Sequence, residues 1–166
     1  MAMLKNALSA VPAKPALVLA PVLIVLVLSL YYRDQYNKCA DIKQTRAALN
    51  EQLLALGSPA QFRLTDFTDF AWTKVRIVPS VDRHTISDTC PLGWNWASGE
   101  RESLIDSGGL AAMVFAKQGQ IVKYLELRGD EVEFRGAEGN LSPEAAVFGV
   151  VRKSGDAGGF TLTLKK

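Results

Sequence analysis

From residue 15 to residue 32 the chain reads PALVLAPVLIVLVLSLYY, eighteen residues with no charge and Ser29 alone as a polar non-aromatic side chain. Eighteen residues of helix rise about 27 Å, close to the roughly 30 Å hydrocarbon core of a bilayer. A serine inside such a run can bond back to its own helix. Pro21 removes one backbone hydrogen bond near the start, where a kink is tolerated. A buried core helix is a poor reading, because nothing before residue 15 could cover it. A cleaved signal peptide needs small residues after the apolar run; here Leu30-Tyr31-Tyr32-Arg33 follows. The expectation is an uncleaved transmembrane helix over 15–32 behind a tail at 1–14. Tyr31, Tyr32 and Tyr36 sit at its exit, where rings suit the lipid–water interface.

The pattern then becomes amphipathic. Residues 41–56 (DIKQTRAALNEQLLAL) are rich in helix formers and free of Pro and Gly. Asp41 is positioned to cap that helix, and Gly57-Ser58-Pro59 to stop it. Ile42, Leu49 and Leu56 recur every seven residues, with Leu53 beside them. Two heptads fall short of the three or four that a coiled coil needs. The stripe is therefore read first as packed on the following domain, and second as an oligomer contact. A juxtamembrane helix over 33–57 is expected, continuous with the anchor or separate from it.

From Phe62 onward short alternating segments take over. Phe62–Leu64 and Phe67–Phe70 read as strand or turn. Trp72, Val75, Ile77 and Val78 belong to a strand ended by Pro79, and 82–90 to a short helix. Gly99–Glu102 reads as a charged loop. The clearest signal is a hairpin: the apolar run Leu110–Ala116, a turn at 117–120 with Gly119 free to take positive φ, and Ile121–Leu127 returning. Gly129-Asp130 makes a turn into Val132–Phe134. Ser142-Pro143-Glu144 precedes a strand at 146–151, and Phe160, Leu162 and Leu164 alternate in the last one. The fold class is α+β: the anchor and juxtamembrane helix, then one small, mostly antiparallel sheet with one or two short helices over 58–166.

Charge narrows the partners. Residues 58–166 carry 13 Lys/Arg against 14 Asp/Glu, and residues 1–57 carry 6 against 3. A nearly neutral domain with interspersed signs has no basic stripe for nucleic acid. Orientation is set by competing arguments. Arg33, Lys38, Lys43 and Arg46 outnumber Lys5 and Lys14 across the run, which favours the C-terminal side inside. Long domains translocate regardless of charge, a short basic N-terminus is the signal-anchor layout, and an even pair of cysteines fits an oxidising compartment. The expected topology is N-terminus in the cytoplasm and domain outside.

Candidate chemistry is sparse. His84 is the single histidine, which leaves no histidine pair for a metal site or relay. A Cys90–His84–Asp88 nucleophile arrangement can be drawn; Cys39, Cys90 and His84 lack paired zinc-ligand spacing. Cys39 and Cys90 are better read as a disulfide, closing a loop of about 50 residues worth roughly 4 kcal/mol. An interchain Cys39–Cys39 bond and two free thiols are the alternatives. Trp72, Trp94 and Trp96 are read first as core packing and second as a candidate binding surface. Glu100 and Glu102 flank Arg101, which neutralises a solvated loop on this reading. No hydrolase elbow, phosphate loop, cofactor motif or metal motif occurs.

The stretch Phe70-Ala-Trp72-Thr-Lys74-Val-Arg-Ile77-Val-Pro79 resembles a motif of small, uncharacterised bacterial envelope proteins, an aromatic-x-Trp/Phe-x-x-Val/Leu strand ending in proline. Leu92-Gly-Trp94, the hairpin from Met113-Val-Phe115 to Ile121-Val122, and Leu141-Ser-Pro-Glu144-Ala-Ala-Val-Phe148 match as well. Together they extend the resemblance over residues 62–164. Ser80 stands where that family carries a tyrosine, so any role of that ring is missing. The resemblance implies a bacterial, membrane-anchored α+β domain and brings no activity. The expectation is a single-pass inner-membrane protein whose periplasmic domain is non-catalytic and binds another envelope protein, as an accessory subunit or an immunity-type inhibitor. The alternatives are an envelope enzyme using Cys90 or the acidic loop, and a spacer that oligomerises through helix 41–56.

Overall fold

The computed structural model describes residues 16–82, 90, 96–154 and 158–165. The chain divides into two compact units, Met1–Asp34 and Gln35–Lys166. One helix, α1 (Ala16–Ala55), supplies residues to both. Nothing between Arg33 and Ala40 interrupts it, since that stretch has neither Pro nor Gly. Asp41 is accordingly a mid-helix residue and not the cap its position suggests; its carboxylate pairs with Lys123.

In the first unit the aliphatic side chains Val22 to Leu28 are 49–63% exposed. Seven successive residues at 3.6 per turn cover every direction around the axis, so this surface has no polar face. The Ser29 hydroxyl donates to the Val25 carbonyl at 2.7 Å. Among the described residues no helix is long and apolar enough to cross a membrane. The side chains of residues 16–20 lie outside that description. The apolar stretch left, 21–32, rises only about 18 Å, short of a bilayer core.

In the second unit, α1 buries one stripe: Cys39, Ile42, Leu49 and Leu53, with Ala48 and Leu56 partly buried beside it. The seam expected from the heptad spacing thus packs on its own domain. Beyond it come β1 (Ala60–Arg63), α2 (Leu64–Phe67), β2 (Lys74–Val78), α3 (Glu100–Asp106), β3 (Leu110–Lys117), β4 (Gln120–Arg128), β5 (Val132–Arg135), β6 (Asn140–Leu141), β7 (Val147–Arg152) and β8 (Phe160–Leu164).

The strands form two four-stranded sheets, ordered β1-β7-β8-β5 and β4-β3-β2-β6, where a single sheet was expected. All pairs are antiparallel except β5 with β8. Two sheets give the apolar residues of each a surface to face, and Phe148, Leu162, Val75, Met113, Phe115 and Leu125 join the helix stripe in one core. The strand β3 is buried on both faces. Met113 and Phe115 enter the main core, while Leu110 and Ala112 join a second cluster with Val81, Trp96 and Tyr124. That explains its unbroken apolar sequence.

The β3–β4 turn lies where the sequence puts it. Gly119 takes φ 80°, and Gln118 takes φ 51°, a left-handed position that its side chain does not advertise. Two positive φ values in a row match the twist of a tight hairpin. The expected charged loop at 99–102 is instead the start of α3. Glu100 Oε2 accepts the Ala97 amide at 3.0 Å, and Leu104 and Ile105 give the helix an apolar face against the second cluster. The short helix expected at 82–90 falls almost wholly outside the described residues.

Candidate functional site

Alternation along β4 sends Leu125 and Leu127 into the main core and puts Tyr124 and Glu126 on the opposite face, among the second cluster. Glu126 is only 1% exposed. A buried carboxylate is tolerated only when charged and hydrogen-bonding partners replace its water. Arg101, from α3, supplies them as a fork: Nη2 donates to Oε1 at 2.6 Å and Nε lies 3.0 Å from Oε1 and 3.1 Å from Oε2. Trp96 Nε1 donates to Oε2 at 2.9 Å. The Tyr124 hydroxyl stands 3.4 Å from Oε1.

The network continues to the helix. The Arg46 guanidinium of α1 lies 4.3 Å from the Trp96 ring centroid, a stacked cation–π contact. One line of contacts therefore joins α1, the segment before α3, α3 itself and β4. Two further ties run beside it. Lys123 of β4 pairs with Asp41 and lies 5.1 Å from the Phe70 ring centroid. Cys39 of α1 is disulfide-bonded to Cys90, with Cα atoms 4.7 Å apart. A second cluster of charge centres on Arg128, which holds Glu100 at 2.6 Å and Asp130 at 2.8 Å.

The electrostatics follow the geometry. The Arg101 guanidinium is held above its usual range by the hydrogen bond to Glu126, against the opposing pull of burial. Burial first, and then the Glu126 charge, push the Tyr124 phenol up. The Arg128 hydrogen bond holds Asp130 below the usual carboxylate range.

Both Glu126 oxygens are occupied by donors. The arrangement suits a clamp that locks elements together. Among the described residues no group of His, Cys, Asp and Glu could hold a metal ion. A separate cleft of about 320 Å³ is lined by Gln52, Ala55, Leu56, Gln61, Phe62 and Asp66. Asp66 is its sole titratable wall residue.

The residues singled out from the sequence are distributed as follows. Cys39 and Cys90 are joined, which leaves no thiolate at Cys90 for the nucleophile arrangement. His84, Asp88 and Trp94 lie outside the described residues. Trp72 is buried, donates Nε1 to Thr68 Oγ1 at 2.9 Å and packs edge-on against Phe115. Trp96 is buried too. Neither presents an open face, because an indole gains most when its carbon surface is packed and its N–H has a partner. Tyr31, Tyr32 and Tyr36 are exposed on α1. Arg101 does not neutralise its neighbours; it reaches across to Glu126. The sequence reading passed over Glu126, and it gave Arg101 a local role and Arg46 only a place in the charge count. The available signal was an acid between two leucines in a strand whose partner strand is apolar on both faces.

Comparison with protein-family models, with curated proteins and with solved structures found no match to this chain.

Proposed function

We propose that the chain is a single-pass inner-membrane protein of the bacterial envelope whose C-terminal domain stands in the periplasm and binds another envelope protein. The observation that carries the membrane part is the surface of α1 from Val22 to Leu30. Its large aliphatic side chains are roughly half exposed on every side, an area that water does not tolerate and lipid does. The Cys39–Cys90 bond supports an oxidising compartment. The resemblance over residues 62–164 supports a bacterial source.

A non-catalytic binding role is favoured by the chemistry of the clamp, where the buried charges are consumed by one another. An accessory subunit and an immunity-type inhibitor are both forms of that role. Alkaline carbonate extraction of the full chain from bacterial membranes tests the anchor, and protease added to spheroplasts tests the side. Retention in the pellet with digestion from outside is expected; release into the supernatant refutes the anchor. Crosslinking in intact cells should then recover a defined envelope partner.

A further inference from the structure

The tip of the β3–β4 hairpin carries side chains that its own fold does not use. Ile121 and Val122 are 55% and 42% exposed. They directly follow a turn whose other residues, Lys117, Gln118 and Gln120, are polar and exposed. Adjacent aliphatic residues at a hairpin tip forgo the stabilisation that burial would give them.

Contacts within the second unit locate this tip. Lys123 pairs with Asp41, and Glu126 is linked to Arg46 through the Trp96 ring. As α1 advances from 41 to 46, β4 advances from 123 to 126, so the two run in the same direction. Five helical residues rise about 7.5 Å and three strand residues about 10 Å, a match within side-chain reach. The register shift between Phe115 and Ala116 leaves two paired steps from Lys123 back to Gln120, about 7 Å, and the turn at 118–119 carries the tip to about 10 Å, or six to seven helical residues. The tip is therefore level with about Gln35, at the end of the unit where the chain enters it. Tyr36 is exposed at that same end. Gln35 follows Tyr32 by only three residues, at most about 10 Å of chain. The headgroup layer beyond each face of the hydrocarbon core is about 5–8 Å thick.

We propose that Ile121 and Val122 insert into the lipid–water interface, giving the domain a membrane contact of its own, with the Lys117 ammonium facing lipid phosphates. This rests on the membrane reading of residues 15–32 above. The occupant is a phospholipid surface: the patch is two aliphatic side chains beside a cation, which matches acyl carbon under an anionic headgroup.

The test uses the full chain reconstituted in vesicles of phosphatidylethanolamine and phosphatidylglycerol. Val122→Cys and, separately, Ile121→Cys are labelled with an environment-sensitive fluorophore, the native cysteines remaining disulfide-bonded. Leu54→Cys is the reference: it is exposed and lies about 28 Å further along α1 than Gln35. Labels at 121 and 122 should emit to the blue of the label at 54 and be quenched several-fold more strongly by headgroup-proximal nitroxide lipids. If the chain floats with the vesicles and resists carbonate while both tip labels match position 54, the tip contact is refuted and the anchor stands. A water-exposed tip of that kind would point to a protein partner there. A chain that does not float refutes both readings.

Discussion

Two stretches of α1 use nearly the same alphabet to opposite ends. From Val22 to Leu30 the helix displays its aliphatic side chains in every direction. From Cys39 to Leu53 it buries a single stripe and leaves the remaining faces mostly exposed. The difference lies in spacing. Consecutive aliphatic residues cannot all be covered by one protein surface, whereas residues at 42, 49, 53 and 56 share one side. Helicity alone thus says nothing of environment; the angular distribution of apolar positions does.

The comparison breaks most readily at its covalent tie. Cys39→Ser opens the bond that joins the striped stretch to Cys90. The disulfide spans a sequence separation of 51, and its loss should cost roughly 4 kcal/mol of domain stability. Urea unfolding of the detergent-solubilised chain, without reductant, measures it. An unchanged midpoint would mean that the helix stripe and the clamp hold the domain by themselves. On a non-reducing gel the wild-type chain should run as a monomer.

The next effect separates the two stretches directly. Leu53 is fully buried in the main core, whereas Leu26 is 55% exposed. Leu53→Ala should cost about 3 kcal/mol, through lost transfer energy and the cavity left behind. Leu26→Ala should leave the unfolding of the second unit unchanged. Equal losses at both sites would remove the distinction drawn between them.

The clamp sharpens the same contrast, since the striped stretch has polar ties to a sheet. Glu126→Gln leaves the Arg101 side chain, 20% exposed, facing a neutral amide, and should cost about 2–3 kcal/mol. Replacing both partners, Glu126→Leu with Arg101→Met, should cost less than that single change, because no charge is then left unpaired. Denaturant midpoints of the three variants decide it. A double variant weaker than Glu126→Gln would show that the pair is a net stabiliser.

The phenol of Tyr124 gives this region a pH signature. Its folded pKa is raised above the ordinary phenol value of about 10, by burial and then by Glu126. A raised pKa means that its contribution is complete below about pH 10 and is lost as pH climbs toward the folded value, because the unfolded phenol ionises first. Stability should therefore fall above pH 10, and Tyr124→Phe should flatten that fall while keeping the packed ring. Asp130 acts in the opposite sense. Its pKa is lowered by Arg128, so its contribution is present above about pH 4 and lost as pH falls further. It is solvent-exposed, and the acid effect should be the smaller of the two.

Local chemistry made some of this legible in the sequence. The hairpin at 110–127, the strand ending before Pro79, the helix stop at Gly57 and the Cys39–Cys90 pair each rest on near neighbours or on residue type. Two features could not be read that way. The split into two sheets depends on β2 choosing β3 and β6 while β1 chooses β7, pairings that alternation does not encode. The clamp depends on Glu126 meeting residues 25 and 30 positions away. In an alternating strand an acid normally marks the solvent face, and here α3 and Trp96 cover that face. Trp72 and Trp96 are buried, as the core reading expected, although type alone does not separate a packed indole from an exposed one.

The smallest test concerns Arg46, the point where the striped stretch meets the clamp. Its guanidinium stacks on Trp96, whose N–H is already committed to Glu126. Arg46→Gln removes the cation and keeps much of the side-chain length. It should cost about 0.5–1 kcal/mol, the usual worth of a partly solvated cation–π contact. Arg46→Lys should recover part of the loss, since an ammonium is also drawn to the ring but does not stack as a plane. Repeating Arg46→Gln on a Trp96→Leu background separates the ring contact from other effects: the two losses should add to more than the double variant shows. Simple additivity would mean that Arg46 contributes through something other than the ring. The clamp would then join Trp96, α3 and β4 without the Arg46 ring contact.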